Sequence, residues 1–262
     1  MNVIKFELGR TKFQFLFWSL IIVAVMAMFT LTVFPFYQSA ADDLSMLIDQ
    51  FPPILSTTFG INKEIFSFVG FYQFISLYIN ILAIAMAVNL TLNIVFSEKA
   101  NRAYEFILVR PITKKQLFIY KFSALLIWLV LFNLLYLGAY LLMLPNGEEL
   151  TWSHLWIAVS GFFLQFFIAS IALIYGVSVR RIRSIPMISA MISIFFFMLN
   201  TVVRIIDYDK LSLLSPLSSF EALEIVKQGF YRLPNFMIHL SLALVLIGYG
   251  FYRYQLMEVS ES

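Results

Sequence analysis

Long apolar stretches alternate with short polar segments along the whole chain. Each stretch is about as long as the roughly 20 residues that cross a hydrocarbon core as a helix. Six such stretches lie near residues 15–36, 69–96, 122–144, 155–179, 186–203 and 236–253. The pattern predicts an all-α integral membrane protein whose six transmembrane helices form a single domain over residues 1–262.

The composition and the distribution of charge agree with a membrane location. Hydrophobic residues make up 61% of the chain and charged residues 13%, whereas charged residues make up about 25% of a typical soluble domain. With the spans as predicted, most of the 18 basic residues fall on one side of the membrane. Because basic residues accumulate in cytoplasmic loops, both termini are predicted to be cytoplasmic. The basic clusters all flank spans, which disfavours nucleic acid as a partner.

Three shorter helices are predicted outside the spans. Residues 1–18 mix apolar and basic side chains, and they suit either a short interfacial helix or a basic flank of the first span. Apolar residues at helical spacing from Asp42 to Phe51 predict an external helix. A second external helix is predicted between the fifth and sixth spans, with Ser218 as its N-cap and Gly229 as its terminator.

The predicted spans carry uncharged polar residues and no charged residue in their deep parts, which disfavours ion-driven transport. One stripe is Gln73, Ser76 and Asn80 on the second span, and another is Ser189, Ser193 and Asn200 on the fifth. Such stripes suit either helix packing or the lining of a translocation pathway. Small residues on the fourth span, from Ala158 to Gly176, predict a packing groove. Asn89 and Asn93 are predicted to bond a neighbouring helix.

The sequence offers little for catalysis. It has no cysteine and only two histidines, His154 and His239, which are predicted to be polar residues of the membrane interface. No G-x-x-x-x-G-K-[ST] sequence is present to hold the phosphates of a nucleotide. The chain is therefore predicted not to be an enzyme. We expect no catalytic residue, no metal site and no cofactor in it.

The longest charged interruption between two spans is residues 97–121, which we call the charged segment. Glutamate and arginine side chains at three- and four-residue spacing predict a helix at its start. Pro111 ends that helix, and Thr113 is placed to cap a second one. Phe106, Ile107 and Leu108 form an apolar ridge that water would not favour unless lipid or a partner covers it. The segment is therefore predicted to dock a partner.

The charged segment resembles the coupling region of the ABC type-2 export permeases. The pattern of that family is approximately E-[KR]-x-x-G-T-x-E-x-L-L-x-x-P-[IV]-[ST]-[RK]-x-x-[IL]-x-x-x-K. The matching residues here are Glu98, Lys99, Glu105, Leu108, Pro111, Ile112, Thr113, Lys114, Leu117 and Lys121. The Gly-Thr dipeptide of the pattern is absent. The motif covers about 25 residues, and the six-span plan extends a looser resemblance along the chain.

The resemblance implies a transmembrane permease subunit of an ABC exporter in a bacterial plasma membrane. Its expected partners are a separate ATP-binding subunit, which would hold ATP and Mg²⁺, and a second permease subunit, either identical or related. The residues implied to contact the ATPase are Glu98, Lys99, Arg102, Glu105, Phe106, Arg110, Pro111, Lys114 and Lys115. The two polar stripes are implied to line the translocation pathway between two permease subunits.

An uncharged and aromatic-rich route suits an amphipathic or hydrophobic cargo. Within the family, the composition is similar to that of Gram-positive exporters of amphipathic peptides, such as phenol-soluble modulin exporters and bacteriocin or bacitracin immunity permeases. Export of peptide toxins or resistance to antimicrobial peptides is therefore the expected role. Two alternatives stay open: export of drugs, lipids or other cargo, and a membrane scaffold or sensor whose basic segment binds a cytosolic partner or anionic lipid.

Overall fold

Six helices of the computed structural model are long and apolar enough to cross a membrane. The structure describes residues 3–48, 50, 52, 63–101, 112–145, 150–206 and 208–257, and these residues form helices and no strand. Spans 1 to 6 are Val3–Ser39, Phe68–Val95, Lys114–Leu142, Trp152–Ser178, Ile185–Ile206 and Leu233–Leu256. The predicted all-α fold with six spans is thereby confirmed.

Span 1 is longer than predicted, and no separate interfacial helix precedes it. The helix runs from Val3 without a break, so the prediction of a distinct amino-terminal helix is wrong. The reason is burial: Glu7 and Thr11 face the other spans and are only 3% exposed, so the segment belongs to the bundle. A π-helical turn over Phe29–Val33 lies next to Pro35, whose missing N–H and bulky ring disturb the regular hydrogen-bond pattern.

Span 3 begins eight residues before the predicted boundary because its first turn is capped. Thr113 Oγ1 accepts a hydrogen bond from the Gln116 amide at 3.3 Å, and Gln116 Oε1 accepts one from the Thr113 amide at 3.2 Å. This reciprocal arrangement is a capping box, and it satisfies amides that the helix itself cannot. The predicted role of Thr113 as a cap is confirmed.

Span 2 is the central helix of the bundle. In its most apolar stretch 72% of residues are buried, against 22% for span 1. It packs on spans 1, 3, 4 and 5, while span 4 packs on spans 2, 3 and 6. A helix that is apolar around its whole circumference is expected at such a position. The two most buried spans, 2 and 4, therefore make most of the contacts between spans, although spans 1 and 3 also pack directly on each other.

The segments between the spans contain two of the short helices that the sequence predicts, with one correction. Ala41–Ile48 is helical, as expected for the region after Asp42. The helix before span 6 is Ala222–Gln228, and it ends at Gly229, which adopts a left-handed backbone with φ of 72°. Ser218 is not its N-cap. Ser218 lies inside a preceding 3₁₀ helix, Pro216–Phe220, and its hydroxyl donates to carbonyls of that region instead.

The small residues of span 4 form the close contacts that the sequence predicts. Ala158, Ala169 and Ala172 are buried. Gly176 lies directly against the ring of Phe96 at the end of span 2, where a Cβ atom on this residue would come 2.2 Å from the ring. Close backbone approach of this kind supports helix association in a bilayer, where the hydrophobic effect gives little drive between helices.

Gly176→Ala is expected to destabilise the protein by about 1–3 kcal/mol, because the added methyl group overlaps a buried ring. Gly138→Ala in span 3 is the matched control, since nothing lies within 4 Å of the added atom. The measurement is the free energy of unfolding in mixed micelles. Equal stability of the two variants would contradict the packing described here.

Candidate functional site

The structure describes only the two ends of the charged segment. Glu98 and Lys99 lie in a short helix, Ser97–Asn101, directly after span 2. Lys114 and Lys115 are exposed in the first turn of span 3. The remaining predicted contact residues, Arg102, Glu105, Phe106, Arg110 and Pro111, lie outside the described residues, as does the predicted break in the helix.

Lys121 joins these two ends. Its side chain is 1% exposed, and its ammonium group forms an ion pair with the carboxylate of Glu98. The same Nζ donates to Ser97 Oγ at 2.8 Å and lies 3.8 Å from Glu7 Oε1 of span 1. A buried charge is tolerated when it is paired and hydrogen-bonded, and both conditions are met here. Lys121 thus connects span 3 to the end of span 2 and to span 1.

Arg10 extends this network along span 1. Its Nε donates to Glu7 Oε2 at 3.0 Å, and its guanidinium also donates to the carbonyl oxygen of Asn93 at 2.6 Å. Asn93 Nδ2 donates to Asn89 Oδ1 at 2.9 Å, and that oxygen also accepts a hydrogen bond from Gln14 of span 1. Asn89 therefore bonds a neighbouring helix through its side chain, as predicted. The Asn93 side chain bonds within span 2 instead, and only the backbone carbonyl of Asn93 accepts a hydrogen bond from span 1. Two hydrogen bonds thus join spans 1 and 2, one from Arg10 to a backbone carbonyl and one between the side chains of Gln14 and Asn89.

Lys99 connects the charged segment to span 4. Its Nζ donates to the carbonyl oxygens of Gly176 and Val179, each at 2.7 Å. These carbonyls lie at the carboxyl end of span 4, where the helix dipole favours a cation. Burial lowers the pKa of Lys99 to about 8, so the amine is still mostly protonated at pH 7. It also lies 5.6 Å from the centre of the Phe96 ring, within the range of a cation–π contact.

We call Glu7, Arg10, Glu98, Lys99 and Lys121 the root cluster. Its ion pairs hold both ends of the charged segment, and its contacts reach spans 1, 2, 3 and 4. Trp128 adds a further contact between spans 3 and 1, because its Nε1 donates to Thr11 Oγ1 at 2.8 Å. Any displacement of the short helix Ser97–Asn101 would therefore act on four spans at once.

Part of the root cluster is absent from the sequence-based prediction. Glu98 and Lys99 were predicted to contact a partner, and Lys121 matched the family pattern, but their pairing inside this chain was not predicted. Glu7 and Arg10 belong to residues 1–18, for which the sequence predicts only an interfacial helix or a basic flank. Their three-residue spacing is an available signal, because it places a carboxylate and a guanidinium on one helix face.

The predicted pathway residues fall into two groups. Ser76 and Asn80 line a small cavity between spans 2, 3 and 4. Gln73 is buried, and its Oε1 accepts a hydrogen bond from the Ala222 amide of the external helix. The residues of span 5 are buried apart from this cavity: the Ser189 and Ser193 hydroxyls donate to carbonyls of their own helix, and Asn200 Oδ1 accepts from Ser215 Oγ at 2.9 Å. The structure thus brings only Ser76 and Asn80 together.

The opposite end of the bundle has its own polar contacts. Arg204 of span 5 forms an ion pair with Glu221, with an N–O distance of 2.8 Å. His154 bonds the Tyr140 hydroxyl at 2.9 Å and His239 bonds Ser219 Oγ at 3.0 Å. Both histidines are only 4% exposed, so their side chains face the bundle, and their predicted place at the membrane interface stays a prediction. His154 bonds Tyr140 of span 3, and His239 bonds Ser219 of the 3₁₀ helix before span 6. These hydrogen bonds satisfy the polar atoms of the two rings and so allow them to be buried.

Comparison with known proteins identifies no relative of this chain. No family model, curated protein or solved structure matches the chain. Inferences about its function therefore rest on its own residues and on the root cluster in particular.

Lys121→Met is expected to destabilise the protein by about 3–5 kcal/mol, because it leaves Glu98 without its ion-pair partner, whereas Glu7 keeps Arg10. Combining it with Glu98→Gln should recover part of that loss, since one uncompensated charge is removed. Lys5→Met, an exposed residue on the same flank, is the control, with an expected change within about 0.5 kcal/mol. Unfolding free energies in mixed micelles test this, and strictly additive effects of the two substitutions would contradict the pairing.

Proposed function

We propose that this chain is the membrane subunit of an ATP-driven exporter, and that a separate ATP-binding subunit docks on its charged segment. The observation that carries the proposal is the root cluster. The ion pair between Lys121 and Glu98 joins the two ends of the charged segment, and the hydrogen bonds of Lys99 join the first of these ends to span 4. A segment anchored in this way can pass a movement of its partner to the bundle.

The contacts that hold the charged segment to the bundle go beyond what basic residues need in order to orient a protein in the membrane. Basic residues orient a membrane protein while remaining solvated beside the bilayer. Lys99 and Lys121 are instead buried and bonded to three different spans or their ends. Lys114 and Lys115, by contrast, are exposed at the start of span 3. The Lys114 ammonium group donates to the carbonyl oxygen of Met257, and Lys115 is available to a partner. The segment thus combines a buried attachment to the bundle with an exposed basic surface.

The energy for export would come from the partner subunit. The chain has no glycine-rich sequence of the kind that holds a nucleotide's phosphates, and ATP and Mg²⁺ would be bound by the ATPase. The excess of basic residues near the charged segment supports a cytoplasmic location for that segment and for both termini. This arrangement suits a multi-pass protein of a bacterial plasma membrane, with the ATPase on the cytoplasmic face.

The proposed cargo is an amphipathic or hydrophobic molecule, with a peptide toxin or antimicrobial peptide as the best candidate. Support comes from the interior of the spans, where polar side chains such as Ser76 and Asn80 are uncharged. A second permease subunit, identical or related, would complete the pathway. Drugs or lipids are alternative cargoes of the same chemical character.

Photo-cross-linking tests the docking. The natural chain has no cysteine, so a single introduced thiol is unique. Lys115→Cys carrying a benzophenone should cross-link an ATP-binding protein in native membranes. Lys210→Cys, which is equally exposed but placed between spans 5 and 6, is the matched control and should not cross-link it. Mass spectrometry identifies the captured protein.

The same two variants also show on which side of the membrane residues 115 and 210 lie. A membrane-impermeant maleimide added to intact cells should label Lys210→Cys and spare Lys115→Cys. Capture of lipid alone at position 115, with no ATP-binding protein in the purified complex, would overturn the exporter proposal. That result would favour a scaffold or sensor held at anionic lipid.

A further inference from the structure

The cavity between spans 2, 3 and 4 is lined by a group of neutral polar side chains. They are Tyr72, Ser76, Asn80, Asn133, Tyr136 and Ser160. All six lie in the half of their spans that adjoins the external segments, and Phe220 of the external 3₁₀ helix also lines the cavity. Ser76, Asn80 and Ser160 are partly exposed, so the cavity extends towards the surface of the bundle.

Asn133, which lines this cavity, has a buried hydrogen-bond acceptor that is unpaired in the part of the chain that the structure describes. Its Nδ2 donates to Leu129 O at 2.8 Å and to Gln165 Oε1 at 2.7 Å, which fixes the orientation of the amide. Its Oδ1 is buried and has no hydrogen-bond partner among the described residues. The residue as a whole is 8% exposed. Buried acceptors are almost always satisfied, so an unused one marks a place where another donor belongs.

Gly161 leaves the space beside that acceptor without a side chain. A Cβ atom added at position 161 would lie 3.1 Å from Asn133 Oδ1. Apart from Gly161 itself, its two neighbours in the chain and the adjacent backbone of its helix, no other heavy atom of the described residues lies within 4 Å of that position. Any side chain here would therefore occupy the space in front of the free oxygen. The glycine leaves room for a group that is not part of this chain.

The hydroxyls of Tyr72 and Tyr136 supply the complementary chemistry. They bond each other at 2.7 Å. One hydroxyl hydrogen is used between them, which leaves the other able to donate to a guest. None of the lining residues is charged, and the cavity volume of about 20 Å³ is room for one water-sized group. The site therefore matches a neutral group that can both donate and accept a hydrogen bond.

We infer that this cavity binds the hydroxyl group of an uncharged amphiphile. The hydroxyl would donate to Asn133 Oδ1 and accept from the tyrosine pair. Its apolar chain would pass Phe220, which also lines a neighbouring aromatic cavity with Phe163, Phe167 and Phe236. This inference rests on the proposed function, because the amphiphile that binds in this cavity would be the exported cargo.

A photoreactive alcohol tests the site directly. The full chain in phosphatidylcholine nanodiscs is irradiated with octanol carrying a diazirine, and the labelled residues are mapped by mass spectrometry. Labels are expected on spans 3 and 4 near residues 133 and 161. Gly161→Ala should reduce them about fivefold, the effect of losing one hydrogen bond. Gly138→Ala, the same change at an open position of span 3, should leave labelling unchanged.

Asn133→Leu provides a second variant and should lose the same labels. Labelling that survives in Gly161→Ala would overturn the inference, because the cavity would then hold water only. Loss in Asn133→Leu with retention in Gly161→Ala would assign Asn133 a purely structural role and overturn it as well. The assay needs no ATPase, so its failure is distinguishable from failure of the proposed docking.

Discussion

The structure depends on how the positive charge of Lys121 is accommodated within the bundle. The residue is 1% exposed, and an isolated ammonium group at such a position would be strongly destabilising. It is surrounded by Glu98, Ser97 and Glu7, and its contacts with them bring the ends of spans 1, 2 and 3 close together. The requirement to pair one buried charge therefore also fixes where the charged segment leaves the bundle and where it returns.

The distribution of polarity follows from the same physics. Ionised side chains are gathered at the two ends of the bundle, in the root cluster and in the Arg204–Glu221 pair. The interior between them uses amides and hydroxyls, such as the Asn133–Gln165 and Tyr72–Tyr136 contacts, because charges deep in a bilayer are costly. A bundle arranged in this way is suited to receive a mechanical input at one end and to handle uncharged groups in its interior.

The sequence predicts the fold well and the site only in part. Span positions, the Thr113 cap, Gly229 and the bonding of Asn89 to a neighbouring helix follow from local patterns of hydrophobicity, turn chemistry and helix spacing. The long span 1 was missed because its basic residues resemble an interfacial flank, and burial of Glu7 depends on a lysine 114 residues away. The contact of Lys99 with span 4 likewise joins distant residues that no local spacing connects.

The central claim is that the charged segment is mechanically joined to span 4 through Lys99. Hydrogen–deuterium exchange on the purified chain and on its Lys99→Met variant measures this most directly. The predicted result is faster exchange in the variant both at residues 97–101 and at the carboxyl end of span 4 around Gly176, with residues 208–228 unchanged. Faster exchange confined to residues 97–101, or none at all, would contradict the account.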